Sequence, residues 1–289
     1  MKEKNSVWLL FKTTVTQWFE DQPFQLASSL SYYTLFSVAP LLIVAIGVAG
    51  LAFGREAAQG QIVAELQGLV GEAGARAVQD MVEASRRPQA GILATVIGVA
   101  TLLLGATGAF AELKSALNVV WDVPEQGGGL KALLLGRLWS FAMVLAVGFL
   151  LMVSLVVSAA LAAADGLFRW IGVPQAAAQL ANAAVSFLII TVLFALIFKF
   201  LPDTEVAWSD VWAGAVFTSA LFAVGKAGIG LYLGKSGLAS TYGAAGSVVI
   251  LVVWVYYAAQ IFFFGAEMTQ AYARRHGSRQ NDQPKVAAA

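Results

Sequence analysis

The sequence predicts an all-α, polytopic membrane protein with six transmembrane helices and an amphipathic helical external loop. Three observations predict it. Hydrophobic residues make up 59% of the 289 and charged residues 12%, against roughly 45–50% and about 25% in a soluble domain, so a water-facing surface could not be covered. Asp, Glu, Lys and Arg are absent between Asp21 and Arg55, Arg87 and Glu112, Arg137 and Asp165, Arg169 and Lys199, and Lys235 and Glu267; about 20 apolar residues cross a hydrocarbon core of roughly 30 Å. These runs are continuously apolar rather than alternating, which selects helices over a β-barrel.

The elements follow in chain order. Val7–Phe19 places Trp8, Phe11, Val15, Trp18 and Phe19 at helical spacing, as an interfacial helix does, or the first turns of a tilted span. The first span is Leu30–Phe53; it is too long for a signal peptide, lacks a cleavage site and is expected to be retained. In the external loop, 54–89, Ile62, Leu66, Leu69, Ala73, Ala77 and Met81 recur every three or four residues, with Glu65, Glu72, Arg76, Asp80 and Glu83 off the stripe; this predicts a helical cap on the bundle. The second span is Ala90–Ala111, and Gly127–Gly129 behind it reads as a linker. The remaining spans are Leu138–Ala164, Gln179–Phe198, Val211–Leu233 and Ala245–Ala266. The chain thus divides into an interfacial segment 1–29, a membrane domain 30–268 and a disordered tail 269–289.

Six spans place both termini on one side. That side collects eleven Lys/Arg, including Lys114, Lys131, Arg137, Lys199, Arg274 and Arg275, against six on the other. The positive-inside bias makes it cytoplasmic. Trp8, Trp18, Trp121, Trp139, Trp208 and Trp212 fall near the same interface, where indole rings anchor.

Several function classes are excluded. The chain has no Cys and one His, His276, so disulfide scaffolds, thiol catalysis and His- or Cys-built metal sites are out. A net charge of +1 offers no footprint for nucleic acid. There is no Walker motif for ATP. No catalytic residue, metal or cofactor is assigned, and the expected partners are membrane lipids and an amphiphilic substrate.

An ionisable group inside a span is a functional candidate. Lys226 lies in the fifth span, about 22 Å from its cytoplasmic start at about 1.5 Å per residue. It either meets neighbours in a water-filled cavity or snorkels to the outer interface. Around it crowd Gly225, Gly228, Gly230, Gly243 and Gly246, which permit close helix contact, and also unwinding where backbone lines a cavity. A second polar set faces the cytoplasmic third. Ser29, Tyr33 and Ser37 share a face of the first span, ahead of Pro40. Gly105, Gly108 and Glu112 share a face of the second, and Tyr256, Gln260 and Glu267 of the sixth. They line a vestibule, or the two glutamates simply pair with Lys114 and Arg274 at helix ends.

The run 27–40, Ala-Ser-Ser-Leu-Ser-Tyr-Tyr-Thr-Leu-Phe-Ser-Val-Ala-Pro, resembles the first-span signature of the YihY/BrkB family of bacterial inner-membrane proteins. Residues 116–122, Ala-Leu-Asn-Val-Val-Trp-Asp, are similar to its second-loop motif. Residues 241–246, Thr-Tyr-Gly-Ala-Ala-Gly, with Trp254 through Met268, are similar to its last-span signature. The resemblance implies six spans and cytoplasmic termini. The family once carried a ribonuclease label and some members are called virulence factors, but phosphodiester hydrolysis needs a metal centre or a paired acid and base, and no such cluster is legible.

The expected function is therefore a transporter or flippase-like translocator of a lipid or other amphiphile. Lys226 would meet an anionic headgroup, Tyr33, Ser37, Tyr256, Gln260 and Glu267 would line the inner mouth, and Glu112 or Glu267 would carry a coupling proton. The alternative is a non-transporting scaffold or envelope-integrity protein acting through its external cap or loops.

Overall fold

In a computed structural model the described residues are 2–54, 107–124, 175–235 and 246–279, with scattered positions between 59 and 79 and positions 136 and 142. Nearly all of the expected third span, the second up to residue 106, most of the external loop, Gly105, Gly127–Gly129, Gly243 and the tail beyond 279 lie outside them.

All regular structure among the described residues is helical. The helices are α1 (Lys2–Glu20), α2 (Pro23–Phe53), a helix over 107–120, α3 (Gln175–Phe200), α4 (Trp208–Lys235) and α5 (Gly246–Arg275). Among the described residues, three stretches are long and apolar enough to cross a bilayer: Ala183–Phe200, Trp208–Leu233 and Val248–Arg275. α2 carries no charged residue in its 31.

Local chemistry sets the boundaries. Gln22 adopts a left-handed backbone, φ 51°, and Pro23 opens α2. Proline suits a first helical turn because its missing N–H has no partner there anyway. The result is a sharp α1–α2 corner. α2 runs unbroken through Pro40 and stops at Gly54, φ 84°, where glycine accepts a conformation that side chains resist.

α5 is the hub, packing against α1, α2 and α4, while α3 packs against α4 and its phenyl rings reach α5. The α4–α5 crossing is built from reciprocal notches. Gly214 of α4 receives the side chain of Thr269, and Gly265 of α5 receives that of Thr218. A Cβ on either glycine would overlap the facing threonine. Each threonine satisfies its own hydroxyl by donating to the glycine carbonyl one turn back on its own helix, Thr218 to Gly214 at 2.7 Å and Thr269 to Gly265 at 2.7 Å. Gly225 makes a third close approach, against Ile261. Above the notches, aromatic rings fill the space between α3, α4 and α5: Phe194 meets Phe222 and Phe262, and Phe222 meets Trp254.

Two expectations change. α4 is helical throughout Gly225, Gly228 and Gly230, so these glycines do not unwind the fifth span; Gly230 faces open space. The segment from residue 269, expected to be disordered, stays helical to Arg275, and the residues after it are bonded to the start of α4. The helix persists because its last turns are buried on the core rather than released to water, Ala271 and Ala273 among them.

The notch pairing makes a stability prediction. Gly265→Val destabilises the protein by about 1–3 kcal/mol, the usual cost of overpacking, and Thr218→Ala in the same chain restores part of it. Thermal unfolding in detergent measures both. No loss in the single variant, or no recovery in the double, contradicts the notch geometry.

Candidate functional site

One face of α5 carries Gln260, Glu267, Gln270 and Arg274, spaced seven, three and four residues apart, which aligns them along the helix. Glu267 and Gln270 are each 1% exposed. This stripe meets two turns of chain at one end of the bundle, the α1–α2 corner and the segment after the 107–120 helix. At the corner, Gln260 Nε2 donates to the Pro23 carbonyl at 3.3 Å, and the carboxyls of Asp21 and Glu267 lie near each other. At the second turn, Asp122 Oδ2 accepts from Gln270 Nε2 at 3.1 Å and from the Arg274 guanidinium at 2.5 Å. Asp122 has a left-handed backbone, φ 50°, which Asp tolerates better than most residues, and this turns the chain out of the helix beside α5.

A belt of contacts holds the surrounding loops. Lys114 bridges to Asp203 at 2.7 Å, and Asn118 exchanges two hydrogen bonds with Asp203, at 2.9 and 2.8 Å. Lys199 donates to the Val206 carbonyl at 2.6 Å and lies over Trp208. Buried Asp210 accepts from the backbone N–H and hydroxyl of Ser278, at 3.0 and 2.7 Å. Arg279 bonds Thr204 and the Glu205 carbonyl and lies over the Trp121 ring.

The site is polar beyond what its own contacts satisfy. Among the described residues, Glu267 Oε2, Gln270 Oε1, Gln260 Oε1 and Gln17 Oε1 are buried acceptors without a partner, and Trp18 Nε1, Trp121 Nε1 and Arg274 Nε are buried donors without one. Buried polar groups are normally bonded, and exceptions mark places held for something other than stability. Burial pushes the Asp21 carboxyl above its ordinary range; the neighbouring charges of Asp122 and Glu20 add to the shift, while Glu267 and Arg274 oppose it. Among the described residues no group of His, Asp and Glu is placed to hold a metal ion.

The structure distributes the sequence candidates over three places. Gln260 and Glu267 belong to the stripe, and Tyr256 continues it one turn further, half-buried against the core. Tyr33 is 42% exposed and stands beside Gly108, where an added Cβ would lie 3.5 Å from its ring. Ser37 is buried and donates to the Thr34 carbonyl at 3.3 Å. Tyr33 and Ser37 therefore do not share one environment. Glu112 is half-buried in the 107–120 helix. Lys226, half-buried, follows Gly225, which packs level with Tyr257 and Ile261. Glu267 lies ten residues past Tyr257, about 15 Å along the axis at about 1.5 Å per residue, so the ammonium and the acid stripe are separate stations. Gly228 is in ordinary contact with the Tyr257 hydroxyl, and Gly246 is buried at the start of α5. Of the two cations expected beside the glutamates, Lys114 binds Asp203 and Arg274 binds Asp122, with Arg274 also near Glu267. Asp21, Asp122, Gln270 and Arg274 are the site residues that sequence reasoning missed.

Comparison with known proteins agrees with this architecture. The family model described as Virulence factor BrkB matches residues 14–289. The chain is similar to a UPF0761 membrane protein of Rhodospirillum centenum, 29% identical over 88% of this chain and 55% of the relative. A UPF0761 membrane protein of Methylibium petroleiphilum is 30% identical over 92% of this chain and 62% of the relative. One from Vibrio vulnificus is 25% identical over 86% and 77%. The chain spans about half the length of the first of these curated relatives. No solved structure matches.

The Asp21 environment predicts a pH dependence. A carboxyl whose folded pKa lies above its unfolded value stabilises the fold at low pH, and that contribution is lost as pH rises through the folded pKa. Stability in detergent accordingly declines as pH rises past the ordinary carboxylate value of about 4. Asp21→Asn flattens this decline. A variant that keeps the full wild-type slope contradicts the assignment.

Proposed function

The chain belongs to the Virulence factor BrkB family of membrane proteins, and from that premise we propose that it is an inner-membrane translocator of a lipid or other amphiphile. The observation that carries the proposal is the buried, incompletely satisfied polar stripe Gln260–Glu267–Gln270–Arg274 on a helix long and apolar enough to span the bilayer. Ionisable groups at such depth are costly, and where they persist they mark substrate or ion paths.

In this reading the stripe lies at the cytoplasmic end and both termini are cytoplasmic. The same end gathers Lys114, Lys199, Arg274, Arg275 and Arg279, which fits the positive-inside bias, and Trp18, Trp121, Trp208 and Trp212, which fits an aromatic belt. Six spans complete the bundle. Lys226, about 15 Å further along, attracts an anionic headgroup as a compact point charge. Tyr33, Tyr32 and Phe36 offer an exposed aromatic face on α2 along which an acyl chain can slide. The proposal assigns no enzymatic step and no cofactor. The aromatic packing between α3, α4 and α5 fills that side of the bundle, which supports a path on the α2 side of α5. That same packing favours the second reading, a non-transporting scaffold, in which Lys226 is an interfacial anchor.

Movement of a fluorescent anionic phospholipid in proteoliposomes tests the proposal. Wild type should accelerate it, and Lys226→Ala and Glu267→Gln should each slow it about tenfold, equivalent to about 1.4 kcal/mol of barrier. Equal and negligible movement in all three proteins supports the scaffold and removes the translocator.

A further inference from the structure

We propose that the end of the α5 stripe beside Asp122 is a binding site for a polyhydroxylated lipid headgroup, built from Trp121, Glu267, Gln270 and Arg274. This names a substrate class for the translocator reading and rests on that reading for the headgroup's passage; the site itself stands on geometry.

Asp122 organises the site. Its Oδ2 accepts from Gln270 Nε2 at 3.1 Å and from the Arg274 guanidinium at 2.5 Å. A carboxylate oxygen takes only donors, so the Gln270 amide is not free to turn, and its Oε1 is held without a partner. Arg274 spends one terminal nitrogen on the same carboxylate and keeps Nε unpaired. Trp121, the residue before Asp122, is 2% exposed with Arg279 over its ring, yet its Nε1 has no acceptor. Glu267 lies one turn before Gln270, and its buried Oε2 has no donor. Two donors and two acceptors therefore stand unused around one fixed turn, where the Asp122 backbone is left-handed at φ 50°.

The balance of donors and acceptors selects the ligand. An ammonium headgroup only donates. It would leave Arg274 Nε and Trp121 Nε1 unsatisfied and set a positive charge beside Arg274. An ionised phosphate only accepts. It would leave Gln270 Oε1 and Glu267 Oε2 unsatisfied and set a negative charge beside Asp122. A hydroxyl does both. Two neighbouring hydroxyls, as on a glycerol headgroup, donate to the two oxygens and accept from the two N–H groups. Buried polar atoms left unmatched are costly, so the site discriminates by what a wrong headgroup leaves unmade.

The headgroup layer has access to this site. The Asp122 side chain is 61% exposed and that of Arg274 19%, so the unused atoms lie one side chain below a solvated rim. The segment after α5 bonds Asp210 at the start of α4, which brings the exposed Trp208 and Trp212 to the same end. Indole rings of this kind mark the membrane–water interface. A lipid in that leaflet meets the rim without crossing the apolar core.

Native mass spectrometry of the full chain in detergent tests the site, with phosphatidylglycerol, phosphatidic acid and phosphatidylethanolamine of one acyl composition as probes. Phosphatidylglycerol and phosphatidic acid share the phosphate, so their difference reads the hydroxyls alone. Wild type should retain phosphatidylglycerol about tenfold more tightly than either of the others, the discrimination expected of a site that hydrogen-bonds hydroxyls. Gln270→Leu should abolish the preference, and Glu205→Gln, an exposed loop acid, should leave it unchanged. Where Gln270→Leu fails to fold, Trp121→Phe keeps an aromatic ring, loses only the N–H donor, and should weaken the preference. Equal retention of all three lipids means that the polar atoms are merely hydrated and overturns the proposal. A preference for phosphatidic acid or phosphatidylethanolamine overturns it in favour of a phosphate or an ammonium site. Displacement of the bound lipid by free glycerol 3-phosphate at matched concentration overturns the lipid source in favour of a soluble polyol. Lipid movement in proteoliposomes separates the claims: selective retention with no movement removes the translocator reading and leaves the headgroup site, whereas movement without selectivity removes the site and leaves the translocator.

Discussion

Everything at the functional end depends on one approach of like groups, the carboxyls of Asp21 and Glu267, at the corner of an otherwise apolar bundle. Hydrophobic burial does not need it, and a low-dielectric interior opposes two ionised carboxylates side by side. Its position explains the arrangement around it. α5 must pass close to the α1–α2 corner, Pro23 must open α2 sharply, and Asp122 must take a left-handed turn to bring a carboxylate to Gln270 and Arg274. Each of these features is locally unfavourable or neutral, and together they converge on one end of the bundle.

The bundle separates a rigid part from a less secured part. α3, α4 and α5 are locked by interleaved threonines and glycines, by ring-on-ring contacts, and by the ties of Asp210 and Arg279 to chain segments on either side of α4. Such packing is discrete, because a notch that admits a threonine admits nothing larger. The α1–α2 corner has a different character. Its polar ties to α5 include one long amide bond, from Gln260 to the Pro23 carbonyl, and outside it the corner presents Trp8, Phe11, Phe19 and Phe24 to the surroundings. A corner held by a long polar contact beside a core held by steric ones is a natural division between moving and fixed elements.

The fold class was legible because charge-free runs of this length have one physical solution, and the helices over 183–200, 208–233 and 248–275 follow the apolar stretches closely. Half of the site was legible too: Gln260 and Glu267 stand out as polar residues at helical spacing on an apolar helix. Asp21 and Arg274 did not, because acids and bases at the ends of apolar runs usually sit in solvated headgroups, and only the tertiary approach of α1 to α5 buries Asp21. Asp122 lay within a motif noted for its resemblance alone. The Gly214–Thr218 and Gly265–Thr269 spacing was a readable signal of close helix approach, overshadowed by the denser glycines from Gly225 onward, of which Gly228 and Gly230 make no close contact.

The central claim is that the acid pair is retained for function rather than for folding. The most direct measurement is the unfolding stability, at neutral pH in detergent, of the double variant Asp21→Asn with Glu267→Gln against wild type. Removing the like-charged groups while keeping their shape should leave the protein at least as stable as wild type. A double variant that is several kcal/mol less stable would show the pair to be a structural clasp and would contradict this account.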